Sequence, residues 1–368
     1  MAHLVLAGGG HAHMLSLANL PLFIKQGHRV TVIGPSAYHY YSGMGPGMLG
    51  GTYSPEQIRF ATQTTVERGG GIFIMDRVVR INPSLKTVLL EGGREIGYDV
   101  LSCNAGSQVN RNLINRDDGD IFTVKPIEKL LEAQKRIAEL TSRRQIKIGI
   151  VGGGPSSAEI AGNIRQLAVR ENAVIPLIKI FAGRQFMHNF SPKIPKFVKK
   201  SLIKRGIVIV NTYAKEVNTG EIWTADGRED FELIFLATGI KPSPIFQDSG
   251  LSTGPEGGLL VNSFLQSPDH QDIFGGGDCI YFEEEPLDKV GVYAVRQNPI
   301  LFHNLMSRLM GRRLIPFKPG SSYLLIFNLG EGLGVLHKNR ITLAGRLAFR
   351  IKDYIDRKFM RRFQTVTG

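Results

Sequence analysis

Cysteine is scarce: the 368 residues contain only Cys103 and Cys279. Two thiols this far apart exclude a disulfide scaffold and a cysteine zinc cluster, and with them a small secreted domain. Long apolar runs are also missing. The uncharged stretch from Met1 to Ile24 is interrupted by Gly8–Gly10, three histidines and Pro21, so no membrane-spanning helix is expected there. The start lacks the basic lead and small-residue cleavage site of a signal peptide. Acidic residues are in deficit, 32 against 45 Lys/Arg, for a net charge of +13. The deficit is concentrated at the end, where Gly311–Gly368 carries twelve basic and three acidic residues. Such asymmetry points to an anionic surface, with a plainly solvated basic face as the alternative. No nucleic-acid-binding module accompanies it, so phospholipid is expected rather than nucleic acid. What the chain has in excess is glycine, 43 residues, gathered in tight clusters. The length suits two or three domains, and 42% apolar residues supply their cores.

Those glycines mark a repeated unit. The apolar run His3–Ala7 suits a buried parallel strand. Gly8–Gly10 follows, then a helical stretch to about Gln26 and a second run, Arg29–Ile33. The same order returns as Lys147–Val151, Gly152–Gly154, a helix over about Ser156–Arg170, and a strand over Pro176–Phe181. Each unit builds its own parallel sheet. The sequence therefore predicts an α/β protein with two Rossmann-like dinucleotide-binding domains. In each turn the first glycine permits a tight reversal. The second lets the backbone approach a pyrophosphate lying on the helix N-terminus. His13 stands where a small third residue is usual, and Ser157 fills that place in the second turn. Neither unit has the ribose-binding acid expected after its second strand. Ser36 is the first unit's substitute. In the second, Arg184 suits a 2′-phosphate, with a solvated arginine as the alternative.

Three further segments follow in order. Ala105-Gly106 ends a strand that begins near Tyr98, Leu236–Gly239 ends another, and Ile273–Asp278 is a strand closing on Gly277-Asp278. On these five signatures the sequence resembles the pyridine nucleotide-disulfide oxidoreductase superfamily, flavoproteins with one FAD and one NAD(P)H domain. The resemblance implies FAD at Gly8, Gly10, His11, Ser36, Ala105, Gly106, Gly277 and Asp278. It implies NAD(P)H at Gly152, Gly154, Pro155, Arg184 and Gly239. Within the superfamily the chain looks most like the type II NADH dehydrogenase and sulfide:quinone oxidoreductase branch. It is similar in particular to the NADH-dehydrogenase-like flavoproteins sometimes fused to selenide, water dikinase. That likeness rests on Tyr41–Gly47 with Gly51-x-Tyr53, on Val292–Gln297, and on Lys352–Met360.

Cys103 and Cys279 do not match the close pair of a disulfide reductase or the spaced cysteines of a persulfide relay. Direct transfer remains: hydride from the nicotinamide to the flavin, then electrons to an acceptor on the other ring face. By resemblance Glu159 orients the nicotinamide. Its plain alternative is a carboxylate placed near a helix N-terminus. Gln297 matches a glutamine that borders the quinone pocket, although Tyr293 occupies a place where those enzymes usually carry another glutamine. His11 and His13 lack the further ligands a metal needs. Lys125 is read as a surface lysine, with a flavin-edge contact as the alternative.

From about Thr342 to Phe363 the pattern is amphipathic. Leu347, Ile351, Ile355, Phe359 and Phe363 form one stripe, and Arg346, Arg350, Asp353, Arg357 and Arg361 form another. A helix of this kind suits an anionic bilayer interface, and docking on the protein body or a homodimer partner is the alternative. The expected domains are FAD-binding over 1–118 and 240–298, NAD(P)H-binding over 119–239, and a membrane or interface segment over 299–368. The whole reads as a cytoplasmic NAD(P)H dehydrogenase, peripheral on the inner membrane face, with a quinone or similar acceptor. A sulfur- or selenium-linked reductase and a non-enzymatic flavin-stabilised sensor are the alternatives.

Overall fold

Two five-stranded parallel sheets form the frame of this computed structural model, which describes residues 1–117 and 119–367. The first sheet runs Ile273–Gly275, Val100–Cys103, His3–Ala7, Arg29–Gly34, Ile72–Met75. The second runs Ile121–Thr123, Leu233–Leu236, Lys147–Val151, Leu177–Phe181, Val208–Val210. His3–Ala7 and Val100–Cys103 are buried along their whole length, as inner strands of a parallel sheet covered on both faces are. In each sheet the strand before the glycine turn is central. It pairs with the strand after the helix on one side (Ala7 with Ile33, Val151 with Phe181) and with a later strand on the other (Ala7 with Cys103, Val151 with Leu236). Strand order reverses there, which is where an open α/β sheet leaves a crevice for a ligand. The expected boundary at Asp118 lies outside the described residues.

The first helical stretch is not continuous. It divides into a short turn at His11–His13, a helix Met14–Ala18 and a helix Leu20–Lys25, with Pro21 opening the last segment. In the second unit Pro155–Arg170 forms one unbroken helix, with Pro155 at its first position.

The C-terminal part adds an antiparallel sheet, Leu325–Asn328, Gly334–Lys338 and Ile341–Gly345, and the helix Arg346–Thr367. Ile341–Gly345, partly included in the expected amphipathic helix, is a strand. The helix packs on the body through Ala348, Lys352, Asp356, Met360 and Phe363, all buried. The expected stripe is thus divided: Phe363 faces the core, whereas Leu347 and Ile355 stay exposed with Tyr354. A helix with one face already packed on protein presents only the other to anything else. Among the described residues no helix is long and apolar enough to cross a membrane.

Candidate functional site

Both glycine turns are built alike, down to single hydrogen bonds. Gly8 N donates to Ile33 O at 2.8 Å, and Gly152 N donates to Phe181 O at 2.9 Å. Gly8 and Gly152 have φ of +102° and +143°. A Cβ on Gly8 would lie 2.2 Å from Asn104 O, and one on Gly152 2.2 Å from Ala237 O. Only glycine closes either turn against the neighbouring strand. The third residue, which looked irregular in sequence, has a common task. His13 Nδ1 donates to Gly8 O at 2.6 Å, and Ser157 Oγ donates to Gly152 O at 2.7 Å. With Nδ1 protonated, His13 Nε2 accepts from the Ser102 hydroxyl at 2.8 Å. Burial lowers the His13 pKa to about 4, so the ring is neutral and suits both bonds. His13 is a tie between the turn and the neighbouring strand.

Both turns open into one cavity of about 1950 Å³. Of the residues expected at the site, Gly8, Gly10, His11, Ser36, Ala105, Gly106, Gly277 and Asp278 line it on the side of the first sheet. Gly152, Gly154, Pro155, Glu159, Arg184 and Gly239 line it on the side of the second. The two turns differ in how their second glycines are used. A Cβ on Gly154 would meet nothing within 4 Å, so the bare backbone faces open space. At Gly10 a Cβ would lie 2.2 Å from Asn104 Oδ1, an atom without a hydrogen-bond partner among the described residues, while Asn104 Nδ2 donates to Gly276 O at 2.6 Å. These turns fit dinucleotide phosphates.

Gln297 is the exception. It is buried outside the cavity wall, and its Oε1 accepts from Gly277 N at 2.7 Å. Through that bond it shapes the Gly277-Asp278 turn. Cys279 serves the same turn: its thiol donates toward Cys103 O and Gly276 O, and burial raises its pKa to about 11. Burial, then the neighbouring Cys279, raises Cys103 well above the ordinary thiol range. Neither cysteine is poised as a thiolate.

Lys125 is half-buried at the cavity wall and ion-paired. Its Nζ stands 2.6 Å from Asp278 Oδ2 and 3.0 Å from Ser107 Oγ, and the Ser107 hydroxyl donates to the same Asp278 oxygen at 2.9 Å. The pair fixes the carboxylate that ends the Ile273–Asp278 segment. Sequence reading missed it because 153 residues separate the partners.

The third wall comes from the last helix. Lys352, Ile355, Asp356 and Phe359 line the cavity. Lys352 donates to Gly43 O at 2.7 Å and pairs with Asp356 at 2.5 Å, while Tyr41 donates to the other Asp356 oxygen at 3.1 Å. Burial raises the Asp356 pKa, and Lys352 opposes that rise. Glu159 lies nearby, accepting from Asn328 N at 2.8 Å. Burial lifts its pKa to about 7, with Lys352 and the Asn328 bond pulling the other way. His11 pairs with His39, not with His13: Nδ1 and Nε2 are 3.1 Å apart. Burial, then the other ring and Lys125, keeps His11 neutral.

Paired glycine cradles joined by one cavity with a fixed Gly-Asp turn belong to flavoproteins, and the sequence comparison agrees. The profile of the pyridine nucleotide-disulphide oxidoreductase family matches residues 2–304. The chain belongs to that family. Among relatives, it is 25% identical over 289 residues to ferroptosis suppressor protein 1 of Xenopus tropicalis, covering 71% of each chain. It is 23% identical to the mitochondrial internal alternative NAD(P)H-ubiquinone oxidoreductase A1 of Arabidopsis thaliana, over 68% of this chain and 53% of that one. Its fold is similar to that of NDH2 from Plasmodium falciparum solved with NADH. The TM-score is 0.81 at 14% identity, over 99% of this chain and 97% of that one. As a member of this family the chain is an oxidoreductase that uses FAD and NAD(P)H.

Proposed function

We propose that the protein carries electrons from NAD(P)H through FAD to a quinone-type acceptor. The observation that carries this reading is the single cavity that both glycine turns share, with the last helix as its third wall. FAD, when bound, supplies the two-electron carrier. The protein supplies position. Gly8, Gly10, Ala105 and Gly106 would hold FAD by close backbone approach, and Asp278, fixed by Lys125, would meet its polar chain. Gly152, Gly154 and Gly239 would hold the nicotinamide nucleotide, with Glu159 at its reactive end. Names of relatives support the acceptor class, the Arabidopsis relative being an NAD(P)H-ubiquinone oxidoreductase. The buried, backbone-bonded cysteines favour direct transfer over a sulfur- or selenium-linked relay.

The last helix supports an acceptor arriving from lipid. Ile355 is 39% exposed and lines the cavity, on the same helix as exposed Leu347 and Tyr354. Arg346, Arg350 and Lys358 are exposed on the same helix. An apolar ridge with basic flanks suits an anionic bilayer surface. The protein then acts peripherally, on the cytoplasmic face. Steady-state assays test the reading. NAD(P)H oxidation should require an added short-chain quinone, and anionic vesicles should pellet the protein at low salt. Turnover driven by sulfide in place of NAD(P)H would contradict it.

A further inference from the structure

The strand Leu177–Phe181 ends at the rim of the second glycine turn, where the adenosine end of a bound nucleotide must lie. An NADH site places a carboxylate there to accept from the ribose hydroxyls. Here Ala182, Gly183 and Arg184 follow the strand, and no acid occurs anywhere from Phe181 to Phe190 or from Val210 to Ala214. Arg184 is exposed at the cavity edge and has no ion pair or hydrogen bond among the described residues.

The segment is held in place. Ala182 N donates to Val210 O at 2.8 Å and Gly183 N to Thr212 O at 3.1 Å. Met187 N donates to Gly153 O at 2.7 Å, tying the segment to the phosphate turn itself. Gly183 has φ of +67°, and a Cβ on it would stand 2.9 Å from the Tyr213 ring. The missing side chain lets that ring lie against the backbone. Tyr213 lines the cavity and is 65% exposed.

The geometry points to a 2′-phosphoadenosine subsite made of Gly183, Arg184 and Tyr213, and so to NADPH as the preferred donor. The inference rests on the donor site proposed above. Arg184 provides a planar, permanently charged fork for the 2′-phosphate. Tyr213 offers a face to the adenine, which NADH and NADPH share. NADH would leave Arg184 unpaired and its own ribose hydroxyls without an acceptor.

The test uses the FAD-loaded protein and two fragments, 2′,5′-ADP and 5′-AMP, titrated calorimetrically. The expected result is binding of 2′,5′-ADP about tenfold tighter or more, an advantage that shrinks in high salt. Arg184→Ala should abolish the difference, Arg184→Lys should restore part of it, and Tyr213→Ala should weaken both fragments alike. Equal binding by the unaltered protein, or a preference that survives Arg184→Ala, overturns the inference. Flavin reduction then separates the two claims. Equal kcat/KM for NADH and NADPH defeats the NADPH preference and leaves the donor site standing. Selective binding of 2′,5′-ADP without flavin reduction by either nucleotide upholds the subsite and defeats the electron-transfer reading.

Discussion

The ring of Phe359 lies nearly parallel to that of His11, 5.7 Å between centroids at 21°, so the last helix closes the wall behind the first glycine turn. Tyr41 joins the same cluster, 4.9 Å from Phe359 and 5.3 Å from His11. Chain end and chain start thus make one surface of the site.

Removing residues 346–368 should therefore impair the site as well as any membrane contact. The cut strips Lys352, Asp356 and Phe359 from the cavity and exposes the core that Met360 and Phe363 cover. Flavin per protein, read from the visible-to-ultraviolet absorbance ratio, should fall. Phe359→Ala is the milder version, expected to cost about 1–3 kcal/mol because the ring is only partly buried. Denaturant unfolding measures it, and undiminished stability would show that the contact is incidental.

Lys125 and Asp278 make a second prediction. Lys125→Met leaves a partly buried carboxylate without its cation, which should weaken FAD binding by about tenfold or more. Asp278→Asn keeps the Ser107 contact and removes the charge, so its loss should be smaller than that of Asp278→Ala. Titration of stripped protein with FAD gives all three values. Equal affinity in Lys125→Met would show that the ion pair does not shape the flavin site.

The paired turns separate folding from binding. At Gly152 an alanine would run into Ala237 O at a positive φ, so Gly152→Ala should unfold the second unit or lower its stability sharply. At Gly154 the added atoms enter open space. Gly154→Val should fold, keep FAD, and raise the KM for the nucleotide about tenfold or more. Unchanged KM would mean that no pyrophosphate lies on this turn.

Such turns were legible because their chemistry is local. Strand, Gly8–Gly10 and helix are contiguous, and the repeat at Gly152–Gly154 made the two-sheet frame readable. His13 shows the limit. Its departure from the glycine pattern was visible, but its bond to Gly8 O depends on the folded turn and matches Ser157 only in space. Lys125 with Asp278 and the last helix with Tyr41 are long-range pairs without a spacing rule. Amphipathic periodicity marked the last helix but ran it into the strand Ile341–Gly345, and it could not tell which face packs on protein. Gln297 was legible as a special position on its helix, while its hydrogen bond to Gly277 N could only be seen in three dimensions.

Glu159 gives a pH prediction. Its pKa is raised from the ordinary carboxylate range to about 7, chiefly by burial. A raised acid favours folding while protonated: that contribution is full below its unfolded pKa and is lost as pH rises through about 7. Glu159→Gln should flatten the fall in melting temperature between pH 5 and pH 8, since the amide can still accept from Asn328 N. An identical pH profile in the variant would place that titration elsewhere.

The most direct test of electron transfer from nucleotide to quinone takes the two half-reactions separately under anaerobic conditions. NADPH or NADH should bleach the oxidised-flavin absorbance of the purified protein, and a short-chain quinone added next should restore it within the turnover time. Sulfide alone should leave the flavin oxidised. A flavin that no nicotinamide nucleotide bleaches, or one that is bleached but not reoxidised by quinone, would contradict the account.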